Sequence, residues 1–264
     1  MSPRTGGPSD AILASVSLDP STQQPDDAAP DDLADTPEEL SADAREAAGR
    51  PEHRYQMVLA ALTAMALHLL LPHDFVLSPT WIYPVLMGGF LVLLIAGDPG
   101  LVDHERGWVR LVTNLMIVLI ALSNLFAVVQ LCDGILSDPQ PEFANDPTQL
   151  LGIGAIVWAT NVIAFALWYW DVDGGGSAKR AARGPWADPA FIWPEMHLEG
   201  YMSSGWYPQF ADYLALSFNT ATAFSPTDVS AVKRWAKMLM IVESGASLVI
   251  ATLVISQAIN SLGS

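Results

Sequence analysis

Cysteine and positive charge are what this chain has least of. A single cysteine, Cys132, excludes an intramolecular disulfide and any multi-cysteine zinc site. Twelve Lys and Arg stand against 28 Asp and Glu, a net charge of −16, which excludes nucleic acid as a partner because phosphate binding needs a basic surface. Charged residues make up only 15% of the chain, against about 25% in an ordinary soluble domain. No His-Glu-x-x-His, Walker, Gly-x-Gly-x-x-Gly or Gly-x-Ser-x-Gly pattern occurs, so nothing in the sequence argues for an enzyme. No cofactor and no metal are expected. A signal peptide is not expected either, since the apolar run 11–16 is too short for one.

What is present is unevenly distributed. Residues 1–53 hold 12 of the acids and three basic residues, Arg4, Arg45 and Arg50, and 20–50 contains no aromatic residue. Such a segment buries too little apolar area to offset its ordering entropy, so 1–53 is read as a disordered acidic tail. Beyond it come five apolar stretches, 55–71, 81–96, 111–131, 150–170 and 238–257. Each is near the ~20 residues that cross ~30 Å of hydrocarbon, the first two at the short end. Trp81, Tyr83, Trp108, Trp168, Tyr169, Trp170, Trp206, Tyr207 and Trp235 fall near their ends, where amphipathic rings settle at headgroup level. The expectation is an all-α integral membrane protein with about five transmembrane helices. Its parts are the tail 1–53, three helices over 54–132, and a second block over 149–264.

Lys and Arg set the orientation. Beyond Arg4 they cluster at Arg45/Arg50/Arg54, Arg106/Arg110, Lys179/Arg180/Arg183 and Lys233/Arg234/Lys237, while the loops 73–80 and 133–148 have none. Five crossings with a cytoplasmic N-terminus place every cluster on the cytoplasmic side.

A sixth, weaker apolar stretch, 210–224, is short, carries hydroxyl and amide groups, and ends at Ser225-Pro226. A re-entrant helix fits it better than a crossing, which would move Lys233, Arg234 and Lys237 outside. The run Tyr213-Leu-Ala-Leu-Ser-Phe-Asn-Thr-Ala-Thr-Ala-Phe-Ser-Pro-Thr-Asp228 with the last span resembles the helix–pore-loop–helix module of potassium-type channels, over about a fifth of the chain. The whole chain also resembles a family of uncharacterised bacterial multi-pass membrane proteins that share this run; that resemblance implies a plasma (inner) membrane location and says nothing of an activity. The channel resemblance implies that Thr222 sits at the filter's first Thr, Asp228 at its closing Asp and Glu243 near the outgoing helix's Glu. The filter itself is degenerate. Ser225-Pro226-Thr227 replaces the Gly-Tyr-Gly that lets consecutive carbonyls face an ion, and Pro fixes φ near −65°. Potassium selectivity is therefore not expected; Asn219, Thr220, Thr222, Ser225, Thr227 and Asp228 are instead the candidates for a polar constriction.

Glu243 is an intramembrane carboxylate, read either as an ion-pathway or proton-relay group or as a hydrogen-bonded acid packed behind the pore-type helix, the second favoured. Asn114, Asn124 and Asn161 are expected to bond across helices. Asp171-Val-Asp173-Gly-Gly-Gly176 lacks the later calcium ligands and reads as a flexible exit from the fourth span. One re-entrant loop cannot enclose a path alone, so a pore implies a homo-oligomer in the lipid bilayer, most simply a tetramer. The alternative is a non-conducting adaptor whose acidic tail recruits a cytoplasmic partner. A transporter is disfavoured, because no repeat relates 55–131 to 150–257.

Overall fold

The computed structural model describes residues 55–77, 79–97, 107–137, 143, 146–176, 179–180, 188–197, 206–222 and 228–262. The acidic tail expected over 1–53 lies outside them, and the two blocks expected over 54–132 and 149–264 pack as parts of one unit. Among the described residues the α-helices are α1 Tyr55–Leu69, α2 Ile82–Gly97, α3 Gly107–Ser137, α4 Pro147–Val172, α5 Phe210–Thr222 and α6 Arg234–Leu262. Two residue pairs form a minimal antiparallel sheet, β1 Phe191–Ile192 with β2 Ser230–Ala231.

Helices α3, α4 and α6 are long and apolar enough to cross a membrane. With 31, 26 and 29 residues they run roughly 39–46 Å at 1.5 Å per residue. Each exceeds the expected apolar stretch at both ends. At α4 the start is set by chemistry, with Asp146 accepting from the Thr148 amide at 2.9 Å and Pro147 in the first turn. α1 and α2 have only 15 and 16 residues, roughly 22–24 Å.

Side-chain pairs fix the directions. His68 meets Ser123, and Gln130 reaches the Asp74 carbonyl, so α1 and α3 run parallel. Asn124 meets Asn161 and Phe143 lies against Gly134, so α3 and α4 run antiparallel. Tyr213 meets Asp173, Ser217 meets Val162, and Ser247 meets Asn161. Both α5 and α6 therefore start beside the end of α4. The described Lys and Arg residues (Arg110, Lys179, Arg180, Lys233, Arg234 and Lys237) all fall at that end of the bundle. The opposite end, around Asp74, Asp133 and Asp146, has none among the described residues.

α4 is the hub, packed against α6, α5, α3 and α1. By contrast α3 exposes Leu111, Leu115, Val118, Leu122, Leu125 and Val129, a ridge at alternating spacings of four and three. α6 likewise exposes Met238, Ile241, Leu248, Ile255 and Ile259. A helix in water turns such a stripe inward; these stripes point outward, as a hydrocarbon solvent requires. Trp81, Trp108, Trp168 and Trp235 are exposed near helix ends, where membrane-interface rings belong.

α4 and α6 approach closely where Gly154 faces Val254: a Cβ there would lie 2.7 and 2.8 Å from the valine methyls. Gly154→Ala is expected to destabilise the fold by roughly 1–3 kcal/mol through overpacking. The double variant Gly154→Ala/Val254→Ala should recover part of that loss, as read by thermal unfolding in detergent.

Candidate functional site

Polar residues recur at intervals of four or eight along three largely apolar helices, and the fold brings them into one seam. On α4 and its exit these are Asn161, Tyr169 and Asp173; on α5, Tyr213 and Ser217; on α6, Glu243 and Ser247. Residues four apart share a helix face, and here the three faces meet.

Glu243 occupies the centre with no surface exposed to solvent. The Tyr169 hydroxyl of α4 bonds one carboxyl oxygen, and the Ser217 hydroxyl of α5 bonds the other. Ser217 also lies 2.8 Å from the Val162 carbonyl. One side chain of α6 thus joins two other helices. A turn further along α6, Asn161 donates to Ser247 at 3.1 Å and accepts from Asn124 of α3 at 3.1 Å. Ser123, next to Asn124, bonds His68 of α1 at 2.9 Å.

Toward the basic end, Asp173 is 2% exposed and takes the Tyr213 hydroxyl at 2.7 Å and the Ala190 amide at 2.6 Å. Arg180 donates to the carbonyls of Trp170 and Asp173 at 2.7 and 2.6 Å, its guanidinium lying over the Tyr213 ring. Three glycines make the turn between them, with φ of +58°, +82° and +102° at Gly174, Gly175 and Gly176, left-handed values that side chains disfavour. The expected flexible exit is therefore corrected: it is a tied turn, closed by the Gly176 amide on the Asp173 carbonyl at 2.9 Å.

This turn anchors both ends of the α5 segment. Tyr213 starts it at Asp173. After α5 the chain returns to the same place: Ser230–Ala231 pairs with β1, the Val232 amide bonds the Ala190 carbonyl at 2.9 Å, and Lys233 forms an ion pair with Asp188 at 2.8 Å. Between these anchors α5 extends along α6 until the Thr220 carbonyl meets the Ser244 hydroxyl at 3.0 Å.

The constriction candidates fall around the tip of α5. Thr220 is buried and its hydroxyl bonds the Leu216 carbonyl at 2.8 Å; the Thr222 hydroxyl bonds the Asn219 carbonyl at 3.0 Å. Asn219 is half-buried, and Asp228 is exposed on the return path. Ser225 and Thr227 lie outside the described residues. Glu243 is packed behind α5, bonded to Ser217. Asn124 and Asn161 bond across helices as expected, whereas the Asn114 side-chain carbonyl is buried without a partner. Among the described residues no group of three or more His, Cys, Asp or Glu side chains is placed to hold a metal ion.

Comparison with known proteins supplies no family. No family model, curated protein or solved structure matches the chain. The residues themselves carry the functional argument. Tyr169, Ser217, Asp173 and Tyr213 were missed as site residues because each alone looks like an ordinary interface or helix residue. The signal that would have found them is the four-residue recurrence of polar groups in apolar helices.

Asn161→Ala removes the bonds to both Asn124 and Ser247 and is expected to cost roughly 1–4 kcal/mol, at ~0.6–2 per interhelical bond. Adding Asn124→Ala should cost less than its own single effect, because the two variants share one bond. A double-mutant cycle on unfolding in detergent checks both.

Proposed function

We propose that this chain is a multi-pass protein of the bacterial plasma (inner) membrane that assembles as a homo-oligomer around a polar, channel-like constriction. In this reading α1, α2, α3, α4 and α6 cross the bilayer and the basic end faces the cytoplasm, as Lys and Arg distribution dictates. α5 dips into the membrane from that side and the chain after it climbs back out. The observation that carries the reading is the shared anchorage: Tyr213 and Ser230–Ala231 are held at one end of the bundle, by Asp173 and by β1.

Depth argues for the oligomer. Thr220 lies level with Ser244, ten residues along α6 from Arg234 and six past Met238, where the apolar stretch begins, so roughly 9 Å into a ~30 Å hydrocarbon layer. Backbone and polar side chains at such depth must face protein or water. Within one chain the outer face of α5, including Ala215 and Phe218, is uncovered. Symmetric copies, most simply four, place that face and the half-buried Asn219 around a common axis. Potassium selectivity is not part of the proposal, since Ser225-Pro226-Thr227 offers no run of carbonyls.

A second reading takes its support from the Thr220 and Thr222 hydroxyls, which are bonded within their own helix. There the module is architecture, and the acidic tail 1–53 recruits a cytoplasmic partner.

Reconstitution separates the two. The full chain in liposomes is expected to carry ions as an oligomer of defined mass, and removal of residues 1–50 should leave that flux intact. A monomer in nanodiscs without flux, together with a phenotype abolished by the truncation, would establish the adaptor instead.

A further inference from the structure

We infer that Glu243 is a proton-binding site, held in this packing as the neutral acid, and that its proton fixes α5 against α4 and α6. Hydrogens around this carboxyl group are few enough to count. A serine hydroxyl has one hydrogen to donate and a tyrosine hydroxyl has one. Ser217 lies within bonding distance of both the Val162 carbonyl and a Glu243 oxygen. With Glu243 ionised, both neighbours are acceptors only, and one hydrogen must serve two of them in a dry interior.

Protonation resolves the conflict. The acid donates to the Ser217 oxygen, Ser217 donates to the Val162 carbonyl, and Tyr169 donates to the second carboxyl oxygen. Every hydrogen then has one acceptor and no hydroxyl is shared. A half-satisfied buried network is costly, while a complete one specifies its geometry.

The surrounding charges agree. On α4 the titratable neighbours along this face are Tyr169 and, at the helix exit, Asp173. On α5 they are Tyr213, bonded to Asp173, and Asp212, bonded to the Gln209 amide at 2.7 Å. α3 approaches the seam through neutral Asn124. The buried cation among the described residues, Arg180, donates to the carbonyls of Trp170 and Asp173, and Lys233 pairs with Asp188. Among the described residues the Glu243 carboxyl group is bonded to the hydroxyls of Tyr169 and Ser217 and forms no ion pair. Loss of the proton breaks the Glu243 O–H bond, leaves the electron pair on the carboxylate and passes the proton to water. It leaves an unpaired buried anion, the arrangement that destabilises most.

The inference holds whether or not the assembly conducts, so it is tested without measuring flux. Glutamine reproduces the acid's pattern, its amide donating to Ser217 and its carbonyl accepting from Tyr169. Infrared spectra of the full chain in nanodiscs at neutral pH should show the carbonyl stretch of a protonated carboxyl that Glu243→Gln lacks. Ser217→Ala should retain that band at a shifted frequency, because the acid loses its acceptor. As pH is raised, the unfolding temperature of the wild type should fall through the loss of this proton, and that component should be absent from Glu243→Gln. The inference is overturned by identical neutral-pH spectra for wild type and Glu243→Gln, by equal alkaline losses in both, or by failure of Glu243→Gln to fold.

Discussion

A carboxyl group sealed among three apolar helices has to find its hydrogen-bond partners inside the protein, and that requirement organises the centre of this molecule. Glu243 meets it with one hydroxyl from α4 and one from α5. In hydrocarbon there is little hydrophobic force to press helices together, so packing and interhelical hydrogen bonds set which faces meet. The Glu243 clasp chooses the α5 face that carries Ser217. The Asn124–Asn161–Ser247 chain then ties α3 to the same seam. Gly154 permits the close contact of α4 with α6 below it.

The clasp at depth works together with the turn at the basic end. Asp173, Arg180 and the small sheet hold the beginning of α5 and the returning strand side by side. A helix of 13 residues, roughly 20 Å long, is then fixed near its start by Tyr213 and along its flank by Ser217. What it leaves uncovered is its outer face, with Ala215 and Phe218 exposed. That is the face that the proposed oligomer turns toward its axis. A rear wall made of α4 and α6 is thus joined to a front whose surroundings the proposed oligomer would supply.

Much of the helical layout was legible in the sequence because it follows from simple constraints. Long apolar runs bounded by tryptophan are visible without any tertiary information, and α3, α4 and α6 lie where those runs are. Grouping of Lys and Arg anticipated that the described ones collect at one end of the bundle. The lengths were less legible. α6 begins at Arg234, four residues before the apolar stretch, because a helix extends through its polar first turn once its end stands clear of hydrocarbon. Glu243 could be singled out, since a carboxylate in an apolar run is conspicuous. Its partners could not, because one tyrosine among the aromatics of α4 is indistinguishable from its neighbours until register is known. The Asp173 turn was misread for a related reason. Three glycines signal freedom in an isolated chain, yet here their left-handed angles are what let Asp173 and Arg180 close the loop.

The central claim is that the chain between α4 and α6 enters the bundle and leaves it at the same end, and sidedness measures this directly. In a Cys132→Ser background, single cysteines at Lys179, Ser230 and Ser137 can be labelled with an impermeant thiol reagent in oriented membrane vesicles. The account predicts that positions 179 and 230 react from one side and position 137 from the other. Reaction of position 230 from the side of position 137 would show that the segment traverses the membrane, and would contradict it.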